Sequence, residues 1–205
     1  MVSDSSAPEK GYEGVKFRTE TLGIDVPNDP RIKELSFWCQ IFDERGLAPP
    51  YEGGSYGNLS FRLKPNSPSF IITAAKSGLA ESKAPNRFVT VDRVDFERGI
   101  VYARGSRQPS SESMVHSAIY DLRPEIQAIF HGHSKEISAN AERLGIPITT
   151  RKEEYGTIAL VRRVQESLNG NPFLEMRDHG FLSMGETINE AGNNALHYLE
   201  RAGKR

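Results

Sequence analysis

Four strand-like segments follow one another in the middle of this chain: Leu59-Ser60-Phe61-Arg62-Leu63, Phe70-Ile71-Ile72-Thr73-Ala74, Phe88-Val89-Thr90-Val91 and Ile100-Val101-Tyr102-Ala103. Each is short, rich in aromatic or β-branched residues, and bounded by turn formers. The links between them are too short to carry a helix back across a sheet, which predicts antiparallel neighbours. On either side the apolar period becomes helical. Upstream, Asp29-Pro30 reads as an N-cap and first helical position, and Ile32, Leu35, Trp38, Cys39 and Phe42 form a stripe that ends at Gly46. Downstream, Pro109-Ser110-Ser111-Glu112 reads as the start of a helix running to about Leu122. Residues 126–133 alternate as a strand, residues 134–144 and 157–168 read as helices, and residues 173–176 as a further strand. A last helix opens with the capping box Thr187 and Glu190. The expectation is an α/β fold with a central, mainly antiparallel or mixed sheet flanked by helices.

The chain of 205 residues suits one domain. Residues 1–28, rich in Ser, Pro, Glu and Gly, read as an irregular or mobile arm, and residues 29–205 as a single domain. With 26 basic and 27 acidic residues there is no overall field to favour nucleic acid or an anionic membrane, so any anion site must be local. Cys39 is the only cysteine, which excludes an internal disulfide and a cysteine-only metal cluster, and fits a reducing compartment. No apolar run is long enough to span a bilayer, and the expectation is a soluble cytoplasmic protein.

The sharpest chemical signal is His131-Gly132-His133. Two residues apart on a strand, both imidazoles project from one face and can converge on one ion. The same spacing also arises on solvated strand ends, but this pair closes an apolar segment at a strand's C-terminal end, where sites often gather in sheet-and-helix proteins. A catalytic zinc wants three protein ligands and one open position. His179, in the turn-like Arg177-Asp178-His179-Gly180, is the best third candidate; its alternative is a surface histidine. His116 and His197 fall inside helices, where packing or a solvated face is the plainer assignment, although His116 lies one turn beyond Glu112. Glu112 alone reads as a charge at a helix start; beside a divalent cation a glutamate can instead touch the metal and move a proton. Ser110 and Ser111, with the free N–H groups of that first turn, make an oxyanion or phosphate seat, and Gly57-Asn58 and Ser77-Gly78 are turns of the same chemical kind.

The ordered set Gly57-Asn58-Leu59-Ser60, Lys76-Ser77-Gly78, Pro109-Ser110-Ser111-Glu112, His131-Gly132-His133-Ser134 and His179-Gly180 resembles the class II aldolase/adducin family, over residues 35 to about 202. The resemblance implies an α/β/α sandwich with a largely antiparallel sheet. It implies His131, His133 and His179 as ligands of one Zn2+ per subunit, or of another divalent metal, and Glu112 as the acid/base. Asn58, Ser77, Gly78, Ser110 and Ser111 match the turns that seat the substrate phosphate. Where many members read Thr-Pro-Ser-Gly, this chain has Ala75-Lys76-Ser77-Gly78, in which Lys76 supplies charge. A second proton donor falls near residues 149–156, where Tyr155 or Glu153 can serve; Tyr155 can equally start the next helix.

The implied activity is zinc-dependent aldol cleavage of a small phosphorylated ketose through a metal-stabilised enediolate. A sugar-phosphate 4-epimerase or a dehydratase would use the same site, and an adducin-like scaffold would keep the fold without catalysis. The implied partners are a small sugar-phosphate-like substrate and further copies of the chain, as a homotetramer with sites near subunit interfaces, with neither nucleic acid nor membrane.

Overall fold

A computed structural model of the chain describes residues 14–80 and 84–204. Its elements, in order, are β1 (Arg18–Gly23), α1 (Ile32–Glu44), β2 (Pro50–Tyr51), β3 (Gly54–Ser55), β4 (Asn58–Arg62), β5 (Phe70–Thr73), β6 (Phe88–Asp95), β7 (Ile100–Arg104), α2 (Ser113–Leu122), β8 (Ala128–Gly132), α3 (Lys135–Asn140), α4 (Ile158–Ser167), β9 (Phe173–Met176), β10 (Gly180–Gly185) and α5 (Ile188–Gly203). Eight strands form one sheet in the order β1-β7-β6-β5-β4-β8-β10-β9, and β2 and β3 make a separate two-stranded hairpin. Every neighbour in the large sheet is antiparallel except β1 against β7. The antiparallel run from β4 to β7 is the one that the short links predict, and the fold is an α/β/α sandwich around a mixed sheet.

The two faces of the sheet separate by strand parity. Leu59, Phe61, Ile71, Phe130, Phe173 and Phe181 point to one side, where they pack with Leu35, Trp38 and Phe42 of α1 and Ile188, Ala191 and Ala195 of α5. Ile72, Ile129, Leu174 and Leu182 point to the other, against Met114, Val115 and Ala118 of α2 and Leu160, Val161 and Val164 of α4. The apolar stripe read for α1 is the buried one, since Leu35, Trp38, Cys39 and Phe42 are its buried residues. Aromatic contacts tie it to the metal-candidate strand, with Phe42 edge-on to Phe130 at 5.4 Å between ring centroids. Burying such a ring contributes about 1.5–3 kcal/mol.

Two strands of the large sheet were not legible as strands. Residues 18–23 stand within the expected irregular arm, yet they pair in parallel with β7 from Arg18↔Ile100 onward. β1 has no apolar alternation of its own and is held by main-chain register, which corrects the expectation for that stretch; residues 1–13 of the arm lie outside the described residues. β10 is buried at all six positions, so apolar residues face both ways and no period of two appears. No helix of the described residues is long and apolar enough to cross a membrane.

Candidate metal and acid/base site

The site lies at one end of the three central strands. Antiparallel pairing sets Asn58 of β4 opposite His131 of β8, and Phe181 of β10 opposite Gly132. The short connection from β9 to β10 therefore carries His179 to the end of β8. That connection is tight: Asp178 takes a left-handed φ of 54°, and the His179 N–H donates to the Met176 carbonyl at 3.0 Å. Gly132 is needed for packing as well as for room around the imidazoles, because a Cβ there would stand 2.6 Å from Phe181 Cζ and 2.9 Å from the Leu47 carbonyl.

His131, His133 and His179 each offer one nitrogen, and these three atoms lie within 4.8 Å of one another. His131 Nδ1 donates to the Phe181 carbonyl at 2.8 Å, and since a carbonyl only accepts, that bond fixes the tautomer and leaves Nε2 with a lone pair. That lone pair faces His133 Nε2 at 3.0 Å and Glu112 Oε2 at 3.2 Å. Glu112 Oε1 stands 2.7 Å from His179 Nε2. Electron-rich atoms thus converge on one point, an arrangement that a divalent cation relieves and that a hydrophobic or neutral filling does not. The donor set of three imidazoles with an adjacent carboxylate fits a metal of the zinc kind.

Charge in the site follows from burial and from these contacts. Burial pushes the Glu112 carboxyl up, but His131, His179 and the Asn58 amide outweigh it and hold the group well below the usual carboxylate range. Burial pushes His131 and His133 down, which favours the neutral imidazole that a metal requires. Glu112 occupies the N-cap position of α2, one residue before the helix, and its side chain makes no capping bond. The expected first-turn role is corrected in that respect: the carboxylate is turned to the histidines, and Asn58 Nδ2 donates to Glu112 Oε2 at 3.2 Å.

Behind Glu112 a polar row runs between β4 and α2. Asn58, Ser60 and Arg62 alternate on the strand while Glu112, His116 and Tyr120 repeat every fourth residue on α2, so the two series face each other step by step. Ser60 Oγ lies 2.7 Å from His116 Nδ1 and 2.8 Å from Tyr120 Oη. Burial pushes His116 down to about 3, against the attraction of Glu112, so this imidazole stays neutral. Its period with Glu112 was the only sequence signal for this row.

The predicted phosphate turns are brought together in part. The bridge Ala74↔Pro109 and the bond from the Ala75 N–H to the Gln108 carbonyl lay the Lys76-Ser77-Gly78 turn beside Ser110-Ser111. Ser77, Ser110 and Ser111 are buried, and Ser77 Oγ has no partner among the described residues. Asn58 instead sits on the histidine side, against Glu112. Tyr155 does not join the histidine cluster through its ring; that ring lies 4.4 Å from the Lys16 ammonium, on the turn whose Gly156 abuts Ser111. Glu153 is engaged by Arg151 and Arg163.

Sequence reasoning missed Glu175 of β9, which is 3% exposed and accepts from Ser138 Oγ at 2.6 Å while its other oxygen has no partner among the described residues. Burial pushes this carboxyl up to about 7 from an ordinary 4.5, against the Ser138 bond. The folded protein then holds a proton that the unfolded chain releases between those values, so stability falls as pH rises through that window. Denaturant titrations at pH 5 and pH 8 should show this loss, on the order of 3 kcal/mol, shrink in Glu175→Gln. An unchanged difference between the two pH values would remove the assignment.

Residues 33–204 match the family model described as "Class II Aldolase and Adducin N-terminal domain". A methylthioribulose-1-phosphate dehydratase of Microcystis aeruginosa is 36% identical over a stretch covering 46% of this chain and 46% of that protein, so the match spans about half of either. A 5-methylthioribulose-1-phosphate/5-deoxyribulose-1-phosphate aldolase of Escherichia coli O45:K1 is 29% identical over 73% of this chain and 71% of that protein. In fold, the chain resembles an L-fuculose 1-phosphate aldolase structure with a TM-score of 0.68 at 22% identity, covering 87% of this chain and 85% of the other.

Proposed function

Because the chain belongs to the class II aldolase and adducin family, we propose that it is a zinc-dependent lyase that cleaves a small phosphorylated ketose by a retro-aldol reaction. The observation that carries this reading is the meeting of His131, His133 and His179 with Glu112 across two of them. A cation held by the three histidines supplies Lewis acidity toward the carbonyl and hydroxyl oxygens of a ketose. Glu112, ionised and pressed against the ligands, would take the hydroxyl proton of the carbon that leaves as the aldehyde while the C–C bond breaks, and would deliver that same proton to the carbon left as the enediolate. Asn58 fixes the direction of that carboxylate through its 3.2 Å bond. Ser77, Gly78, Ser110 and Ser111 seat the phosphate on N–H and hydroxyl donors, and the unpartnered Ser77 Oγ supports that part. Tyr155, on the turn against Ser111, is the second acid that we assign, hydrogen-bonding the oxygen that becomes the aldehyde. A homotetramer belongs to the same reading, supported by the apolar Leu22, Ile24, Val26 and Phe37 that stand exposed on this chain. The buried lone Cys39 fits the reducing cytoplasm.

Dehydration and 4-epimerisation draw on the same groups, and the relatives named for a dehydratase favour keeping dehydration as the second reading. Zinc-loaded protein given methylthioribulose 1-phosphate, fuculose 1-phosphate and ribulose 5-phosphate, with products followed by NMR, separates them. We expect an aldehyde together with a three-carbon keto phosphate. Loss of water without an aldehyde would replace the aldolase by a dehydratase, inversion at C4 by an epimerase, and no turnover at all would leave the non-catalytic scaffold.

A further inference from the structure

The hairpin of β2 and β3 has no place in the chemistry above, yet it is fastened to that site at both ends. At one end Tyr56, just beyond β3, lays its ring 5.2 Å from the ring of His133, and its N–H is held by the Pro49 carbonyl at 2.8 Å. At the other, Ser55 Oγ accepts from the Leu79 N–H at 2.9 Å, which ties the hairpin to the turn that carries Ser77. Between these anchors the rings of Tyr51 and Tyr56 meet at a tilt of 52°, with centroids 5.0 Å apart. Gly54 lies across from Tyr51 in the two-strand register, and its missing side chain opens the gap between them. A methyl group there would stand 2.8 Å from Tyr51 Oη and 3.1 Å from the Ser77 nitrogen, so the phenol oxygen packs over Gly54 close to that N–H.

The electrostatics of this space suit an anion. Arg107 reaches the Ala75 carbonyl at 3.1 Å and also bonds the Lys76 carbonyl, so a guanidinium is fixed against the turn that leads into Ser77. Ser77 is 6% exposed, and its hydroxyl has no partner among the described residues. A ligand held by the histidines at one end and by the Ser77 turn at the other would run along the faces of Tyr56 and Tyr51.

We propose that Tyr51 is a ligand-binding residue of this site, its hydroxyl donating to the anionic group seated at the Ser77 turn, with Tyr56 as the aromatic wall that joins that seat to the metal corner. The proposal rests on the phosphate-seat reading given above. A phenol donor to a phosphate oxygen makes a charge-assisted hydrogen bond, whose loss weakens binding about tenfold or more.

The test is inorganic phosphate titrated into zinc-loaded wild-type protein, Tyr51→Phe and Ser77→Ala, followed by calorimetry, with zinc per chain measured alongside. Any phosphate bound directly by the metal is common to all three proteins. We expect Tyr51→Phe and Ser77→Ala each to weaken phosphate about tenfold while zinc content stays the same, since neither residue touches the histidine nitrogens. Wild-type affinity in Tyr51→Phe together with weakened binding in Ser77→Ala would overturn the inference alone. Wild-type affinity in Ser77→Ala as well would overturn the phosphate seat and the inference with it.

Discussion

Glu112→Gln is expected to retain the metal and to lose turnover by roughly 10²- to 10⁴-fold, the usual contribution of a positioned acid/base. The substitution is nearly isosteric, so the packing of a side chain that is 2% exposed is preserved. What disappears is the charge and the capacity to carry a proton. In the resting site His131 and His179 hold the Glu112 carboxyl well below its ordinary range, so it is ionised throughout the neutral region and enters the reaction as a base. An amide in its place can still meet Asn58, but it can neither take the hydroxyl proton of the ketose nor hand it to the enediolate carbon. The measurement is steady-state turnover on whichever sugar phosphate the product survey identifies, with metal content determined on the same samples. Near-normal rates would remove the acid/base role, and a parallel loss of metal would recast Glu112 as a ligand whose charge the histidines require.

The middle of the fold was legible because its strands alternate and its links are short. Leu59, Phe61 and Ile71 take one face while Ile72 takes the other, as a period of two demands. Two of the helices were legible from caps as much as from stripes, since Thr157 accepts from the Leu160 N–H and Thr187 from the Glu190 N–H, each at the predicted start. By contrast, α1 begins beyond the expected Asp29-Pro30, with Arg31 at its N-cap and no side-chain cap bond. β10 was not, because a strand buried on both faces has no polar side to reveal it. This omission matters for the site. His179 was chosen for its turn-like surroundings, whereas what sets it beside His131 is the pairing of β10 with β8, a long-range fact with no local signature. The same holds for the Phe181 carbonyl that fixes His131, since backbone acceptors carry no residue identity. β1 escaped for a different reason, being held by the register of its neighbour rather than by its own pattern.

His131→Ala is expected to abolish stoichiometric metal binding while leaving the secondary structure in place. Of the three candidate ligands His131 is the most enclosed, 1% exposed, and the only one whose second nitrogen is pinned by a backbone carbonyl among the described residues. Its removal leaves two imidazoles, one ligand short of the three that a tightly held catalytic cation needs, and it also strips Glu112 of its 3.2 Å neighbour. Losing an outer partner of a ligand already costs 10- to 100-fold in metal affinity, so losing the ligand itself should cost at least about 100-fold. The fold should persist, because the strand that carries His131 is anchored by Ile129 on one face and Phe130 on the other, and neither contact passes through the metal. Metal per chain after dialysis against a weak chelator, with circular dichroism on the same protein, makes the comparison. Wild-type metal content in this variant would mean that the converging nitrogens do not hold the ion, and the lyase reading would lose its foundation. Unfolding of the variant together with metal loss would make the cation a structural element whose binding free energy is part of the folding free energy. His179→Ala, in the turn between β9 and β10 rather than within the sheet, then tells the two apart, because it removes a ligand without opening the core.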